Sequence, residues 1–341
     1  MTQIKFEIID NQEKWDSILT ALPPYSFMQS FGYSRFAIHL TYSTFLISHS
    51  INDVYDSYAL AYKITAKRGT FLCISHGPVF KDDTFDPKLF SEWDAYLTTL
   101  ALKEKCSFIR IAPPWTETTV PPGYLPSPIH VHAETTSIIS LQKTEQELLA
   151  SMRKTMRQMI KKSFTLLSTG TLSYEWVEII DDSIYEVYSQ TTKRGHFIGF
   201  SKSYLQSEYD YFKKYEDAKM LVIKHGNTVL SWGLFIYIGN KAFYHHGANV
   251  IHKDFPSAYL FYWLGILKAK EVGCISYDLW GIAPKNNSKH PWSSITVFKS
   301  GFGGEYLQLA HAIDKPLNMS YYITWIIERL RAVKRGFWNY Q

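Results

Sequence analysis

Cysteine is scarce in this 341-residue chain: Cys73, Cys106 and Cys274 stand far apart, with no C-x-x-C among them. An odd, scattered set argues against a disulfide framework and suits a reducing cytosol. Long apolar runs are missing as well. The longest, AYLFYWLGIL at 258–267, is too short to span a bilayer and stops at Lys268. The first residues, MTQIKFEIID, are acidic and polar where a signal peptide needs an apolar centre. Familiar chemistry motifs are absent too. No Gly-Lys-Ser/Thr follows four spacers as in a Walker loop, and no G-x-G-x-x-G precedes a helix. With no G-x-S-x-G elbow, covalent catalysis has no sequence support. These absences leave the expectation of a soluble, cytoplasmic protein without a standard nucleotide loop.

What is present is core-forming material. Hydrophobic residues make up 46% and aromatic residues 16% of the chain, enough for two packed domains at this length. The net charge of +5 is compatible with an anionic ligand without demanding one. Periodicity predicts a strand, helices near 12–20 and 31–39, then strands near 43–49, 57–65 and 70–76. A helix near 87–104 and strands at SFIRIA and near 134–141 follow, separated by the proline-rich loop 113–128. The second half repeats the order, with helices near 145–165, 183–192 and 203–214 and strands near 219–224, 229–238 and 242–247. A helix near 257–272, the strand ISYDLW, a helix near 293–300, a strand near 305–310 and a final helix near 318–333 complete it. The same programme twice implies an α/β (α+β) fold of two domains of one type.

Several stretches are candidates for chemistry. LLASMRKTMRQMIKKSF at 148–164 puts Leu149, Met152, Met156, Met159 and Ile160 on one helical stripe, with Arg153, Lys154, Arg157, Lys161 and Lys162 largely off it. That basic face is simply solvated, or a cationic edge for the phosphates of an RNA or nucleotide, and the two readings are not exclusive. TTKRGHF at 191–197 ends a helix with Lys193 and Arg194, cations that favour the helix dipole; the planar fork of Arg194 also suits a phosphate. His245 and His246 are adjacent, and His130 and His132 flank one residue. Neither pair has a spacing that implies zinc with a nearby carboxylate or thiolate, so no metal is expected. YDLWGIAPKNN at 277–287 and VFKSGFGG at 297–304 bring Asp278, Trp280, Phe298 and Lys299 toward one strand end.

These residues resemble the FemABX family, the peptidyltransferases that add bridge amino acids to peptidoglycan precursors. YDLWGI and FKSGFGG resemble its signature strand and the segment after it. FMQSFGYSRF at 27–36, SHGPVF at 75–80, FIRI at 108–111, TTKRGHF and FPSAYLFYWLGILKAKEVG extend the resemblance along nearly the whole chain. It implies tandem duplicated acetyltransferase-like (GNAT) domains of the compact type, without a coiled-coil insertion. The first would span 1–141 and be completed by a C-terminal helix in 315–341, and the second would span 142–314.

The resemblance further implies an aminoacyl-tRNA donor and a UDP-MurNAc-pentapeptide or lipid-linked precursor as acceptor, with no cofactor. Arg35 and Arg194 then match precursor phosphate-binding positions, with Tyr33, Asp278 and Trp280 in the substrate site. Lys299 matches the lysine that stabilises the reacting ester, and Phe298 its neighbour. Arg153, Lys154, Arg157 and Lys161 would meet tRNA. The chain departs from the family pattern at Ala112, where some relatives carry an acid in an Arg-x-Asp-Pro loop, and at Ser257, where compact relatives carry tyrosine. The alternatives are an acyl-CoA-dependent N-acyltransferase, a binding protein of the same fold, or transfer to another acceptor. IIERLRAVKRGFWNYQ mixes cations and aromatics as an interfacial segment does, so a transient membrane-surface contact is considered beside docking of this helix on the first domain. A monomer is the default.

Overall fold

The structure, a computed structural model, describes residues 3–22, 26–66, 69–81, 84–195, 197–285 and 290–334. Its first stretch runs β1 (Ile4–Ile9), α1 (Gln12–Ala21), α2 (Phe31–His39), β2 (Ser43–Ile51), β3 (Val54–Ala66), β4 (Gly69–Ser75), β5 (Val79–Phe80), α3 (Pro87–Lys103), β6 (Phe108–Ala112) and β7 (Leu125–Pro126). Next come β8 (Thr135–Ser140), α4 (Glu145–Ser151), α5 (Lys154–Ser168), β9 (Ser173–Val177), α6 (Asp182–Gly195), α7 (Lys202–Tyr215), β10 (Asp217–His225), β11 (Thr228–Ile238) and β12 (Lys241–Asn249). The chain ends through α8 (Ser257–Glu271), β13 (Ser276–Asp278), α9 (Ser293–Lys299), β14 (Glu305–Gln308), β15 (Ile313–Pro316) and α10 (Ser320–Lys334).

Two compact units result, one of residues 1–134 with 308–341 and one of residues 135–307. Each is built on a mixed sheet, ordered β1-β2-β3-β4-β6-β15-β7 in the first and β14-β8-β13-β12-β11-β10-β9 in the second. The repeat is visible in the pairing. Four antiparallel strands lead through a helix to a parallel partner, β4 to β6 through α3 and β12 to β13 through α8. A parallel neighbour needs such a crossover, since a tight turn cannot return the chain in the same direction.

The strand beside that parallel partner comes from the other end of the chain segment. β8, expected from the sequence to close the first domain, pairs with β13 in the second sheet. β15, which follows the second stretch, pairs with β6 in the first. The unit limits therefore fall at 134/135 and 307/308 rather than at 141/142 and 314/315. Hydrophobic patterning could not reveal the exchange, because β8 buries Thr135, Thr136, Ser137 and Ile139 and β15 buries Ile313 and Asp314, too few apolar residues to assign either to a sheet.

Local signals set most element ends. Asp86 caps α3 by accepting the N–H groups of Lys88 and Leu89, and Pro87 begins the helix where no N–H is needed. Phe90, Trp93, Leu97 and Leu100 then form its buried stripe. The helix predicted over 145–165 is broken: Met152 and Arg153 take extended backbone angles between α4 and α5. The first unit also holds α10, tied down by Arg110 of β6. The Arg110 guanidinium donates to both carboxylate oxygens of Asp314 on β15, each at 2.7 Å, and to Glu328 on α10 at 2.8 Å. Residues 335–341, the end of the predicted interfacial segment, lie outside the described residues.

Candidate active site

In the second unit β13 ends at Asp278, whose side chain shapes the turn that follows. Its Oδ1 accepts the N–H of Trp280 at 2.7 Å and the hydroxyl of Thr136 on β8. A carboxylate that bonds the backbone two residues on makes an Asx turn. Trp280 adopts φ +57°, uncommon for a bulky residue. The carbonyls of Trp280 and Gly281 then accept from Lys299 Nζ at 2.8 and 2.9 Å.

Lys299 closes α9 and is only 6% exposed. Its ammonium lies 5.3 Å from the centre of the Tyr244 ring on β12, a cation–π contact. Burial pushes the Lys299 pKa down to about 7, while the nearby Asp278 charge pulls it up. Two of its three N–H groups serve the turn, and the third meets no acceptor among the described residues. A cation held this way can donate to an oxygen that gains negative charge. Phe298 instead packs on Tyr259, Tyr262 and Phe302, with ring centres 5.2–5.4 Å apart. Its part is to seat α9 so that Lys299 reaches the turn.

The glycines after Lys299 serve packing. A Cβ on Gly301 would fall 2.3 Å from Met156 Cε and 2.6 Å from Arg153 Nη2. Gly303, at φ +82°, lies against the backbone of Ser151. The segment thus leans on α4 and the start of α5, and the Arg153 N–H donates to the Gly301 carbonyl at 2.9 Å.

The basic helix divides between two tasks. Arg153 donates its guanidinium to the Val297 carbonyl and Arg157 donates to the Met152 carbonyl, so both brace the α4–α5 break and α9. Lys154, Lys161 and Lys162 are exposed. Arg194, in the last turn of α6, donates Nη2 to the Asn249 carbonyl at 2.9 Å, which fixes its fork at the end of β12.

Tyr33 and Arg35 lie on α2 of the first unit, both half-buried. Tyr33 approaches the Tyr62 ring at 6.0 Å, and Arg35 lies 5.9 Å from the Phe31 ring. Tyr62, Ser75 and His132 form a relay there, with Oη–Oγ at 2.5 Å and Oγ–Nε2 at 2.7 Å. Gln29 of the FMQS motif is fully buried: its Nε2 donates to the Ser75 carbonyl and its Oε1 accepts the Leu60 N–H. At the departure from the family pattern, the Ala112 carbonyl accepts the His76 N–H at 2.8 Å.

Some neighbours were illegible in the sequence. Tyr244 on β12, which no motif singled out, lies under the ammonium of Lys299. His245 and His246 gain a carboxylate from α7: Glu208 Oε1 is 2.9 Å from His245 Nε2, and Oε2 is 2.8 Å from His246 Nε2. Adjacent strand residues normally face opposite ways. Here the register slips between Leu234 and Phe235, which pair with His246 and Tyr244, so His245 is the extra residue of a bulge. Glu208 in turn shares the buried stripe of α7 with Leu205, Tyr209 and Phe212.

Residues 213–329 match the model of the FemAB family. The chain is similar to the crystal structure of FemX, at 15% identity and a TM-score of 0.79, over 95% of this chain and 100% of that one. A tandem GNAT protein from the clavulanic acid biosynthesis pathway aligns with a TM-score of 0.57 at 11% identity, covering 93% and 99% of the two chains. L-PGS from Bacillus licheniformis gives 0.55 at 13% identity, with 94% and 96% covered. No curated protein sequence matches. The two mixed sheets are accordingly tandem GNAT-like units, and no helix among the described residues is long and apolar enough to cross a membrane.

Proposed function

From the premise that this is a FemAB family chain, matched through residues 213–329, we propose that it is a cytoplasmic aminoacyl-tRNA-dependent transferase. It would add an amino acid to an amine of a peptidoglycan precursor stem peptide. The observation that carries this reading is the seat of Lys299 on the Trp280 and Gly281 carbonyls, inside the matched segment.

In that reaction the acceptor amine attacks the ester carbonyl of the aminoacyl-tRNA. A C–N bond forms and the carbonyl electrons move to oxygen. Collapse breaks the ester C–O bond, and the ribose hydroxyl of the tRNA leaves with a proton that the amine sheds. The third N–H of Lys299 is suited to the transient oxyanion, a contribution of about 3–4 kcal/mol in comparable sites. Arg194, its fork oriented by Asn249, and Arg35 are the proposed contacts for precursor phosphates, with Tyr33 beside Arg35. Asp278 and Trp280 act by building the turn. Lys154 and Lys161 are free to meet tRNA phosphates, whereas Arg153 and Arg157 are engaged within the unit.

The test is transfer of labelled amino acid from a mixed pool of charged tRNAs to UDP-MurNAc-pentapeptide, with Lys299→Ala in parallel. Product from the parent and a 100-fold or larger loss in the variant are expected. Absence of product with this acceptor and with the lipid-linked precursor, from folded protein, would refute the assignment. Transfer from acyl-CoA would replace it by the N-acyltransferase reading.

A further inference from the structure

We propose that His130, Glu134 and His311 of the first unit form a divalent-metal site suited to zinc. The Nε2 of His311 lies 2.8 Å from the Ser127 carbonyl oxygen. A carbonyl only accepts, so Nε2 carries a proton. Its other nitrogen, Nδ1, lies 2.7 Å from Glu134 Oε1. A neutral ring with its proton on Nε2 would turn a lone pair toward the carboxylate, and that contact is repulsive. A proton or a metal ion must therefore lie between Nδ1 and Oε1.

The surroundings favour the ion. A histidine whose second N–H is anchored on a backbone carbonyl is the usual arrangement of a metal ligand, because the anchor fixes ring and tautomer. Glu134 Oε2 is 2.8 Å from His130 Nδ1, so both carboxylate oxygens already face imidazole nitrogens. The donor atoms of the three residues all lie within 4.8 Å of one another. His130 Nε2 is buried and has no hydrogen-bond partner among the described residues, and the ring meets His311 edge to face with centres 4.9 Å apart. The three side chains keep 17–26% exposure, which leaves access for an ion and for a water in the fourth position.

Two imidazoles and one carboxylate are the donor set of open zinc sites, whereas calcium and magnesium favour oxygen donors throughout. Bonds of about 2.1 Å would separate the donors by roughly 3.4 Å along a tetrahedral edge, a modest opening of the present contacts. The ion would join residues 130–134, where the chain leaves the unit, to His311, just after it returns.

Glu208, His245 and His246 have similar composition and no comparable need. Each histidine there can donate Nε2–H to its own carboxylate oxygen, so no lone pair is forced against the anion.

The experiment uses the full chain, without a polyhistidine tag and stripped by chelator, titrated with Zn²⁺ against a chromophoric competitor. One equivalent per chain is expected, together with a rise in Tm. Glu134→Gln and His311→Ala should each weaken binding at least tenfold and abolish the Tm shift, while Glu208→Gln binds as the parent does. Glu134→Gln is nearly isosteric, so it reports even if His311→Ala fails to fold. Replacement by Co²⁺ should give the visible bands of a tetrahedral site. No uptake by the parent, uptake indifferent to Glu134→Gln, or loss in Glu208→Gln instead would each overturn the assignment. So would a doubly protonated His311 ring, seen by NMR with Zn²⁺ present.

Discussion

Lys299 Nζ lies 2.8 Å from the carbonyl oxygen of Trp280, a residue 19 positions earlier in the chain. The left-handed Trp280 and the Asp278 carboxylate that fastens its N–H hold the carbonyl there. A short turn thus orients the one buried cation of α9, and its protonation state becomes measurable.

The ammonium of Lys299 is lost as pH rises through about 7. If it stabilises the oxyanion, the rate ratio of the parent to Lys299→Arg should fall across that range, since arginine stays charged and the acceptor's own titration cancels. Stability has the opposite sign. The folded pKa lies below the usual 10.5, so between about 7 and 10.5 the unfolded chain binds more protons and stability rises with pH. Lys299→Met should remove this rise, as seen in Tm at pH 6 and pH 9.

Asp278→Asn keeps an acceptor for the Trp280 N–H but removes the negative charge near Lys299. The Lys299 pKa should fall further, and the loss of transfer activity should begin at lower pH. Asp278→Ala should instead loosen the turn and cost about 1–3 kcal/mol in denaturant unfolding.

Arg110 is 2% exposed and faces two carboxylates, Asp314 and Glu328. Arg110→Ala leaves both buried without their cation, and about 3–5 kcal/mol of stability should disappear. Proteolysis should then release α10 before the rest of the unit is cut.

Burial raises the Glu208 pKa, but His245 and His246 outweigh it and hold the carboxyl below its usual 4.5. A depressed folded pKa adds stability that is present above 4.5 and lost as pH falls through the folded value. Glu208→Gln should therefore flatten the acid side of the Tm–pH curve below about pH 4.5, and it should cost about 1–3 kcal/mol at pH 7 through the buried hydrogen bonds it weakens.

Most of the element order was legible in the sequence, because helical and strand periods are local. β10, β11, β12 and α8 match their predicted spans within two residues at each end, helped by Gly-Asn turns and by Pro256. Motifs also put Asp278, Trp280 and Lys299 near one strand end. Tertiary structure decided what one-dimensional patterns do not carry. β8 and β15 exchange sheets because strand pairing depends on which edge is open, not on the strand's own residues. Short β9, β7 and β15 lack enough alternation to be seen alone. Glu208 meets His245 and His246 only through a bulge and a helix packed across the sheet. Glu134 and His311 are 177 positions apart and meet only in the folded unit.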